Sequence, residues 1–460
     1  MKPFAFLAFT VFVAGCSVSP KYERPPVELP QAWKESAPRF AEDGRWWRIY
    51  DDALLDQLVD EGLKNNYDLV VAAARVDEAR ALAAEARSFL LPRLDAQGAV
   101  SRDQISTRTA LTPPGVPREF SSHRATVNLS YEVDLFGRLR GSVDAARAEL
   151  EASEASREAV RLALAAEVAK TYFSLRSFEQ QVLLTRQTLD LREETLGLQR
   201  KRRNAGVIGD YELRQLEAEA AAARAQLPAL EQAREREEVA LQVLLGRDAR
   251  QVFESQIARR EVPDAKLLPP VVPAGIPSEL LLRRPDLVEA ERRLAAANAR
   301  IGVARAEMFP SIALTGFLGA ESASLSNLFS GPAAIWQLAA AVTQPIFSGG
   351  RTEARTAAAE ARERALVAQY QQAVRNAFAE VRSALVAQTR AREIYEAESA
   401  RADALAETLR LARLRYASGI ANQLEVMDAE RGLLAARASR IDALRAHRSA
   451  VADLFRALGG

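Results

Sequence analysis

The pattern of apolar and polar residues changes abruptly near position 136. Between Thr126 and Leu135 the two classes alternate, which is typical of a strand with one apolar and one polar face. After Gly137 the apolar residues instead recur every three or four positions, for example from Val160 to Val182, as on one face of a helix. The pattern therefore predicts a strand that leads directly into a long α-helix.

The chain contains this change of pattern twice, the second time over residues 339–355. When the two halves are aligned, Pro92 matches Pro310, a shift of 218, and Phe136 matches Phe347, a shift of 211. Farther along, Gly206 matches Gly419, a shift of 213. Nearly constant shifts over most of the chain predict two tandem structural repeats.

Each repeat is expected to contain a short helix, a two-strand hairpin and two long antiparallel helices. In repeat 1, residues 66–246, the hairpin covers 94–135, the long helix 139–204 and the return helix 210–246. In repeat 2, residues 278–460, the same elements cover 311–346, 351–418 and 422–459. Residues 16–65 are expected to be an extended segment with a short helix, and the Pro-rich connector 247–277 is expected to be irregular.

Residues 1–15 have the form of a lipoprotein signal peptide. Lys2 precedes an apolar stretch that is shorter than the roughly 20 residues a membrane-spanning helix needs. The sequence VAGC, which ends at Cys16, resembles a lipobox, so we expect cleavage before Cys16 and covalent lipid on this cysteine. The alternative is an ordinary secretory signal followed by an incidental cysteine. Ser17 follows the cysteine, and by resemblance to Gram-negative lipoproteins this favours the outer membrane.

Charge and composition narrow the possible functions. The chain has 62 Lys and Arg against 61 Asp and Glu, so no basic excess points to nucleic acid. Its two histidines, His123 and His447, have no neighbouring Cys or His, so we expect no metal site and predict that both are polar surface residues. No P-loop or nucleophile-elbow motif is present. We therefore expect neither a cofactor nor enzymatic activity.

The hairpins also bear on assembly. Strands of about ten residues suit a tilted outer-membrane strand, but four strands cannot close on themselves, and open strand edges are not tolerated in lipid. Two chains would supply eight strands, and three would supply twelve. The alternative on pattern alone is a soluble hairpin packed on a helical bundle.

Six segments resemble one family. They are YERPPVELPQAW (22–33), WWRIYDDALLDQLV (46–59), VDLFGRLRG (133–141), RRPDL (283–287), ARAEMFPSIALTG (304–316) and PIFSGGR (345–351). Together they extend along essentially the whole mature chain, and they resemble the TolC-like outer-membrane factors, specifically the lipoprotein (nodulation-T type) efflux branch.

This resemblance implies a fold that is mainly α with a membrane β part. Three copies would form a twelve-stranded β-barrel in the outer membrane and a twelve-helix tunnel in the periplasm, with the connector 247–277 at its equator. It also implies a passive exit duct of a tripartite efflux pump. The partners would be a periplasmic adaptor (a membrane fusion protein) and an inner-membrane transporter of the resistance–nodulation–division class. The alternatives are a duct for type I protein secretion and a non-conducting helical scaffold lipoprotein.

The resemblance further places a periplasmic gate in the helix turn at residues 415–428. Leu424 falls at the position of an apolar ring, and Asp428 at that of a carboxylate ring that would attract cations. Tyr416 falls at the position of a tyrosine whose contacts between helices hold the end closed. The alternative is that Leu424 is ordinary helix packing and Asp428 part of a solvated face.

One departure from the family pattern affects this gate. Ala417 follows Tyr416, where some relatives have Arg, so a contact between the tyrosine and an arginine at that position is not expected. Glu425 and Asp210 are further candidate carboxylates. By the same resemblance, the turns at 203–213 and 416–428 are the expected docking surface for the adaptor.

Overall fold

The computed structural model describes residues 18–27, 44–106, 118–254, 257 and 283–460. Cys16 and most of the predicted connector lie outside these residues. The described start of the connector is helical over Ala249–Glu254, so the prediction of an irregular segment is wrong there. The helices are α1 (Ala53–Asn65), α2 (Tyr67–Ser88), α3 (Arg138–Asn204), α4 (Asp210–Leu244), α5 (Ala249–Glu254), α6 (Pro285–Ala306), α7 (Arg351–Ala417) and α8 (Gln423–Leu458). The strands are β1 (Arg93–Gln104), β2 (Glu119–Val133), β3 (Ser311–Ser322) and β4 (Ala334–Thr343). The predicted fold class, mainly helical with a small antiparallel sheet, is confirmed.

The chain divides into two compact units. The sheet unit comprises Arg75–Glu154, Glu289–Gln371 and the described residues up to Pro26. The helical unit comprises the described parts of Val27–Ala74, Ala155–Val288 and Gln372–Gly460. Across the described ranges, the structure contains no helix with both the length and the apolar character needed to cross a membrane.

The sheet has the order β1-β2-β3-β4, and every neighbouring pair is antiparallel. Leu94 lies opposite Leu129, which lies opposite Gly316, which in turn lies opposite Leu338. Because side chains alternate between the two faces of a strand, these four positions share one face. That face also contains Val100, Val127, Tyr131, Leu318 and Val342, whereas the other contains Asp95, Gln97, Asn128, Ser130, Glu132 and Thr315. The sheet is therefore apolar on one side and mostly polar on the other.

The change from strand to helix after Val133 has a local cause. The Asp134 carboxylate accepts hydrogen bonds from the backbone N–H groups of Leu139 (3.1 Å) and Arg140 (2.8 Å), which have no acceptor inside α3. Gly137 has φ of 82°, a conformation that glycine adopts without steric cost. The ring of Phe136 stacks on Phe309 with 4.8 Å between centroids, which fixes the corner against the end of α6. The strand thus ends and the helix begins within five residues.

The core of the helical unit forms where the segment around residues 46–65 packs on the long helices. Trp46 stacks on Phe455 of α8 with 5.3 Å between ring centroids. The Asp52 carboxylate caps α1 at Leu54 and Leu55 and also accepts a 2.6 Å hydrogen bond from the Tyr172 hydroxyl of α3. Because Asp52 is 4% exposed, these donors replace the water that its carboxylate loses on burial.

Equivalent positions of the two repeats make equivalent contacts in the helical unit. Asn66, at the start of α2, donates from Nδ2 to the carbonyl of Leu244 at 2.9 Å. At the matching positions, Arg284 donates from Nη1 to the carbonyl of Ala457 at 3.1 Å. The side chains differ chemically, but both anchor the short helix of a repeat to the end of its return helix. The repeat seen in the sequence is therefore also a repeat of contacts.

Arg284, in the segment RRPDL, is a buried cation that pairs with two carboxylates. Its guanidinium is 6% exposed, pairs with Asp286 at 2.7 Å and also reaches Glu380 of α7 at 2.9 Å. Burial acts to raise the pKa of Asp286, but the hydrogen bonds from Arg284 outweigh it, so the pKa lies below the usual carboxyl value. One buried cation thus connects the start of α6, the end of α8 and the middle of α7.

The prediction that His447 is a polar surface residue is wrong. His447 is 1% exposed, because it lies on the face of α8 that also buries Leu444, Val451 and Phe455. Its Nδ1 atom is buried without a hydrogen-bond partner among the described residues. Burial lowers the pKa of His447, since the charged ring would lose its hydration.

Candidate gate at the helix turns

Two tight turns join the long helices in pairs, and both have the same backbone construction. Gly206 ends α3 with φ of 75°, and Gly419 ends α7 with φ of 74°. The N–H of Val207 bonds to the carbonyl of Arg202, and the N–H of Ile420 bonds to that of Arg415, each at 2.9 Å. These bonds satisfy carbonyls at the helix ends and reverse the chain within a few residues.

The helices that follow the turns are capped differently. At the start of α4 the Glu212 carboxylate accepts a 2.8 Å hydrogen bond from the N–H of Gly209. At the start of α8 the Asn422 side chain accepts a 3.1 Å hydrogen bond from the N–H of Glu425. Both caps fix the first helical turn, and in α8 that turn contains Leu424.

Leu424 and Asp428 lie on one exposed face of α8, because residues four apart on a helix are neighbours. Leu424 is 46% exposed, whereas Val426 and Met427, which lie between Leu424 and Asp428 in the sequence, are buried. Met427 packs against Leu196 of α3 and residues of α4. The buried face thus holds α8 against its neighbours and leaves the two predicted gate residues uncovered within the chain.

The three candidate carboxylates differ in their partners. Asp210 accepts a 2.8 Å hydrogen bond from Arg203, which lowers its pKa. Glu425 lies 3.4 Å from Arg415. Asp428 forms no ion pair or hydrogen bond within the part of the chain that the structure describes. Among the three candidates, Asp428 is therefore the one whose negative charge has no basic partner in the described chain.

Tyr416 connects α7 to α3. Its hydroxyl oxygen accepts hydrogen bonds from Nη1 of Arg202 at 2.7 Å and from Nε2 of Gln199 at 3.3 Å. Its ring packs on the cluster formed by residues of α7 and α8, including Val426. An arginine thus does contact this tyrosine, although Ala417 stands at the position where some relatives have Arg. The arginine comes from the other repeat, and nothing in the sequence near Tyr416 indicates it.

A second connection joins α8 to the other helix pair. The Glu219 carboxylate of α4 lies between two guanidinium groups, 3.0 Å from Arg192 of α3 and 3.2 Å from Arg431 of α8. Two cations thus share one partly buried carboxylate, so its removal would leave two like charges facing each other. A cavity of about 270 Å³ lies beside this bridge, lined by the three charged residues and by apolar side chains such as Leu230 and Leu434. None of the three charged residues stands out in the sequence, where each is one of many charges spread along the helices.

The described residues show no group suited to bind a metal. No cluster of three or more His, Cys, Asp or Glu side chains with metal-binding geometry occurs in the described ranges. What the two turns contain instead is a set of reversible contacts: hydrogen bonds to one tyrosine, one shared carboxylate and an uncovered apolar and acidic face. Such contacts can be broken and formed again without any change in covalent bonds.

Comparison with known proteins places this chain among transport channels. The family described as outer membrane efflux protein matches residues 58–247 and 276–460. Outer membrane protein OprJ of Pseudomonas aeruginosa is 37% identical over 99% of this chain and 95% of its own length. The probable outer membrane lipoprotein SilC of Salmonella typhimurium is 32% identical over 98% of this chain and 97% of its own. The open-state crystal structure of the Neisseria gonorrhoeae MtrE outer membrane channel is 34% identical, with a TM-score of 0.84 over 97% of this chain and 98% of that one.

Proposed function

This chain belongs to the outer membrane efflux protein family and is an outer-membrane efflux channel, and we propose that it is the passive exit duct of a tripartite pump. In this proposal a periplasmic adaptor and an inner-membrane transporter of the resistance–nodulation–division class complete the pump. The transporter supplies the energy, and the duct performs no catalytic step.

Three copies of the chain form the proposed duct. The four-stranded sheet has an apolar face, a mostly polar face and two edge strands, β1 and β4, without a neighbour in the described chain. Backbone groups at such edges cannot be left unpaired in lipid, so a membrane-embedded sheet of this kind has to close with copies of itself. Twelve strands from three copies would direct the apolar face to lipid and the polar face to the pore.

The gate of the proposed duct lies at the turn between α7 and α8. The single observation that supports it best is the uncovered pair on α8, Leu424 with 46% exposure and Asp428 without a basic partner in the described chain. Around a three-fold axis, three leucines would narrow the opening and three carboxylates would attract cations. The Tyr416 hydrogen bonds and the Glu219 bridge would hold α7 and α8 against α3 and α4 in the closed state.

Opening would require these two connections to break. The charges involved are partly exposed, so each connection is worth only a modest free energy, and a docking partner could supply it. We propose that the adaptor docks on the turns at 203–213 and 416–428, where Val207 (60%), Tyr211 (73%) and Ile420 (72%) are exposed. One relative, the MtrE channel, has been crystallised in an open state.

Single-channel conductance in planar bilayers tests the gate. A Leu424→Ala, Asp428→Ala double variant removes the proposed apolar and acidic rings, so we expect conductance to rise at least about twofold. The matched control is Leu183→Ala with Asp190→Ala, the same change at exposed positions of α3 outside the turns, which should conduct like the wild type. Unchanged conductance in the gate variant would contradict the assignment of these two residues to the gate.

A second measurement separates the alternatives. A non-conducting scaffold would give no channels in the same bilayers, whatever its sequence at the turns. A duct for protein secretion would conduct, but deletion of its gene would leave susceptibility to small toxic compounds unchanged. An efflux duct predicts that the deletion strain becomes more susceptible to at least one class of such compounds.

A further inference from the structure

The two edge strands of the sheet have exposed apolar side chains on the apolar face, as the inner strands do. On β1, Leu94 is 67% exposed and Val100 75%, and on β4, Leu338 is 74% exposed and Val342 69%. We propose that β4 of one copy pairs with β1 of the next, with Leu338 directly opposite Val100 of the neighbouring copy. This seam rests on the proposed trimer, and it adds the register at which the copies join.

The repeat provides the register. Asn66 with Leu244 and Arg284 with Ala457 show that residues matched by the sequence shifts make matched contacts. In the sheet, the pairing of β2 with β3 is the junction between repeat 1 and repeat 2. The junction between repeat 2 of one copy and repeat 1 of the neighbouring copy would have the same antiparallel strand pairing. Its strands would be β4, which matches β2, and β1, which matches β3.

Applying the shifts gives the opposed residues. Val127 of β2 lies opposite Leu318 of β3. Val127 corresponds to Leu338 by the shift of Phe136 to Phe347, and Leu318 corresponds to Val100 by the shift of Pro92 to Pro310. Leu338 is therefore expected opposite Val100 of the neighbouring copy, and the same rule places Val342 opposite that copy's Ala96.

The face of each side chain agrees with this register. Leu338 and Val342 lie on the apolar face of their sheet, as do Val100 and Ala96. A slip of one residue would turn the apolar side chains of one strand to the polar face, so it is excluded. A slip of two residues in either direction would leave every side chain on the same face of the sheet. It has to be considered because the hairpins themselves differ by two: Leu94 pairs with Leu129, whereas Ile312 pairs with Val342.

Strand tilt argues against one of the registers that keep the faces. A line of directly opposed residues runs from Leu94 through Leu129 and Gly316 to Leu338, and the proposed seam continues it to Val100 of the next copy. From Leu94 to Val100 of the next copy the line moves six residues along β1, so around three copies it moves roughly 18 residues. For twelve strands this displacement corresponds to a tilt of about 47°. The register two residues farther, with Leu338 opposite Arg102, gives a tilt of about 55°. Membrane sheets of this kind tilt by roughly 35–45°, so the farther register is disfavoured. The register two residues nearer, with Leu338 opposite Gly98, gives a displacement of roughly 12 residues and a tilt of about 35°, which the same range allows. The match of β4 with β2 and of β1 with β3 is what favours Val100 over Gly98.

The strand-to-helix corner adds a second contact to the seam. Within the chain, Phe136 stacks on Phe309 at the end of α6. Their matches are Phe347, which is 90% exposed, and Leu91, which is 66% exposed. The chain alone thus forms this corner contact once and leaves the matching pair open. Phe347 is therefore expected to pack on Leu91 of the neighbouring copy, as Phe136 packs on Phe309.

Cysteine cross-linking in the full-length, membrane-inserted protein tests the register. The Val100→Cys, Leu338→Cys variant should form covalent trimers on oxidation that are reversed by reductant, because directly opposed side chains lie close enough for a disulfide. Each single variant is the control and should not form them. The Arg102→Cys, Leu338→Cys and Gly98→Cys, Leu338→Cys variants report the registers shifted by two residues in either direction, and more efficient cross-linking in one of them would overturn ours.

A separate variant tests the corner contact. Phe347→Ala should lower the temperature at which the trimer dissociates in detergent, whereas Phe253→Ala, which removes another highly exposed phenylalanine (92%), should not. Equal effects would contradict the corner contact. If the wild type forms no trimer by light scattering, the proposed duct fails. If it forms a trimer that none of the three cysteine pairs can cross-link, only the seam fails.

Discussion

Tyr416 shows how one residue can link two structural repeats. Its hydroxyl receives two hydrogen bonds from α3, one of them from the charged Arg202. A hydrogen bond from a charged donor contributes about 1.5–3 kcal/mol when buried and less where solvent has access. Because Tyr416 is half-buried, the contact is strong enough to favour one arrangement of the helices and weak enough to be reversed.

Removal of this hydroxyl should favour the open channel. Tyr416→Phe keeps the ring in its cluster but removes the acceptor for Arg202 and Gln199, so we expect the open probability in planar bilayers to rise roughly 3- to 10-fold. Tyr395→Phe is the matched control, because it is the same change on α7 at a tyrosine with no hydrogen bond in the described structure. Equal open probabilities in the two variants would show that Tyr416 does not hold the gate.

The burial of His447 makes stability depend on pH. Burial lowers its pKa in the folded protein, with Arg392 and Arg448 acting in the same direction and Glu396 against it. The unfolded chain binds a proton near the ordinary value of 6.5, and the folded chain does so only at lower pH. The contribution of this group to stability is therefore lost as the pH falls below about 6.5.

Thermal unfolding in detergent between pH 8 and pH 5 measures this effect. We expect the melting temperature of the wild type to fall further than that of a His447→Leu variant over that range, by an amount on the order of 1 °C for a chain of this length, since leucine fills the site without taking up a proton. The control is Gln388→Leu, the same change at a buried polar residue that takes up no proton, which should keep the pH dependence of the wild type. Parallel curves for the wild type and His447→Leu would rule out this explanation.

At the scale of elements, the period of the sequence predicts the long helices and the strands. It predicts neither α5, which lies in the connector expected to be irregular, nor which elements are neighbours. The alternation from Thr126 and the three-to-four spacing after Gly137 correspond to β2 and α3. Periodicity shows that a residue faces another element without showing which one. The partners of Tyr416 on α3, and Glu219 between Arg192 and Arg431, therefore have no signal in the sequence.

His447 of α8 shows the limit of reasoning from residue type. The apolar residues Leu444, Val451 and Phe455 lie three, four and eight positions away from it, so helical spacing places this histidine on the apolar face. The surface position predicted for His447 is wrong because it followed from the polar nature of histidine and not from this spacing. The gate positions of Leu424 and Asp428 follow from a family resemblance, and the structure adds that they share an exposed face.

At the scale of the whole molecule, two features could hold the protein in the outer membrane. One is the sheet, whose apolar face suits lipid only when several copies close it. The other is the lipid proposed on Cys16, which lies outside the described residues. SilC, a relative of similar length, is named as a probable lipoprotein. The two features make different predictions about what happens when the anchor is removed.

A variant without the anchor separates them. We propose replacing residues 1–15 with a cleavable secretory signal and changing Cys16 to Ser, so that export continues without lipid attachment. The wild type should incorporate labelled palmitate, and the variant should not, because Cys16 is the only cysteine in the chain. The variant should nevertheless stay in the membrane fraction after an alkaline wash, since lipid-facing residues of twelve strands bury far more apolar surface than the acyl chains of one cysteine. Release into the soluble fraction would show that the lipid alone holds the protein, and it would favour the helical scaffold over the duct.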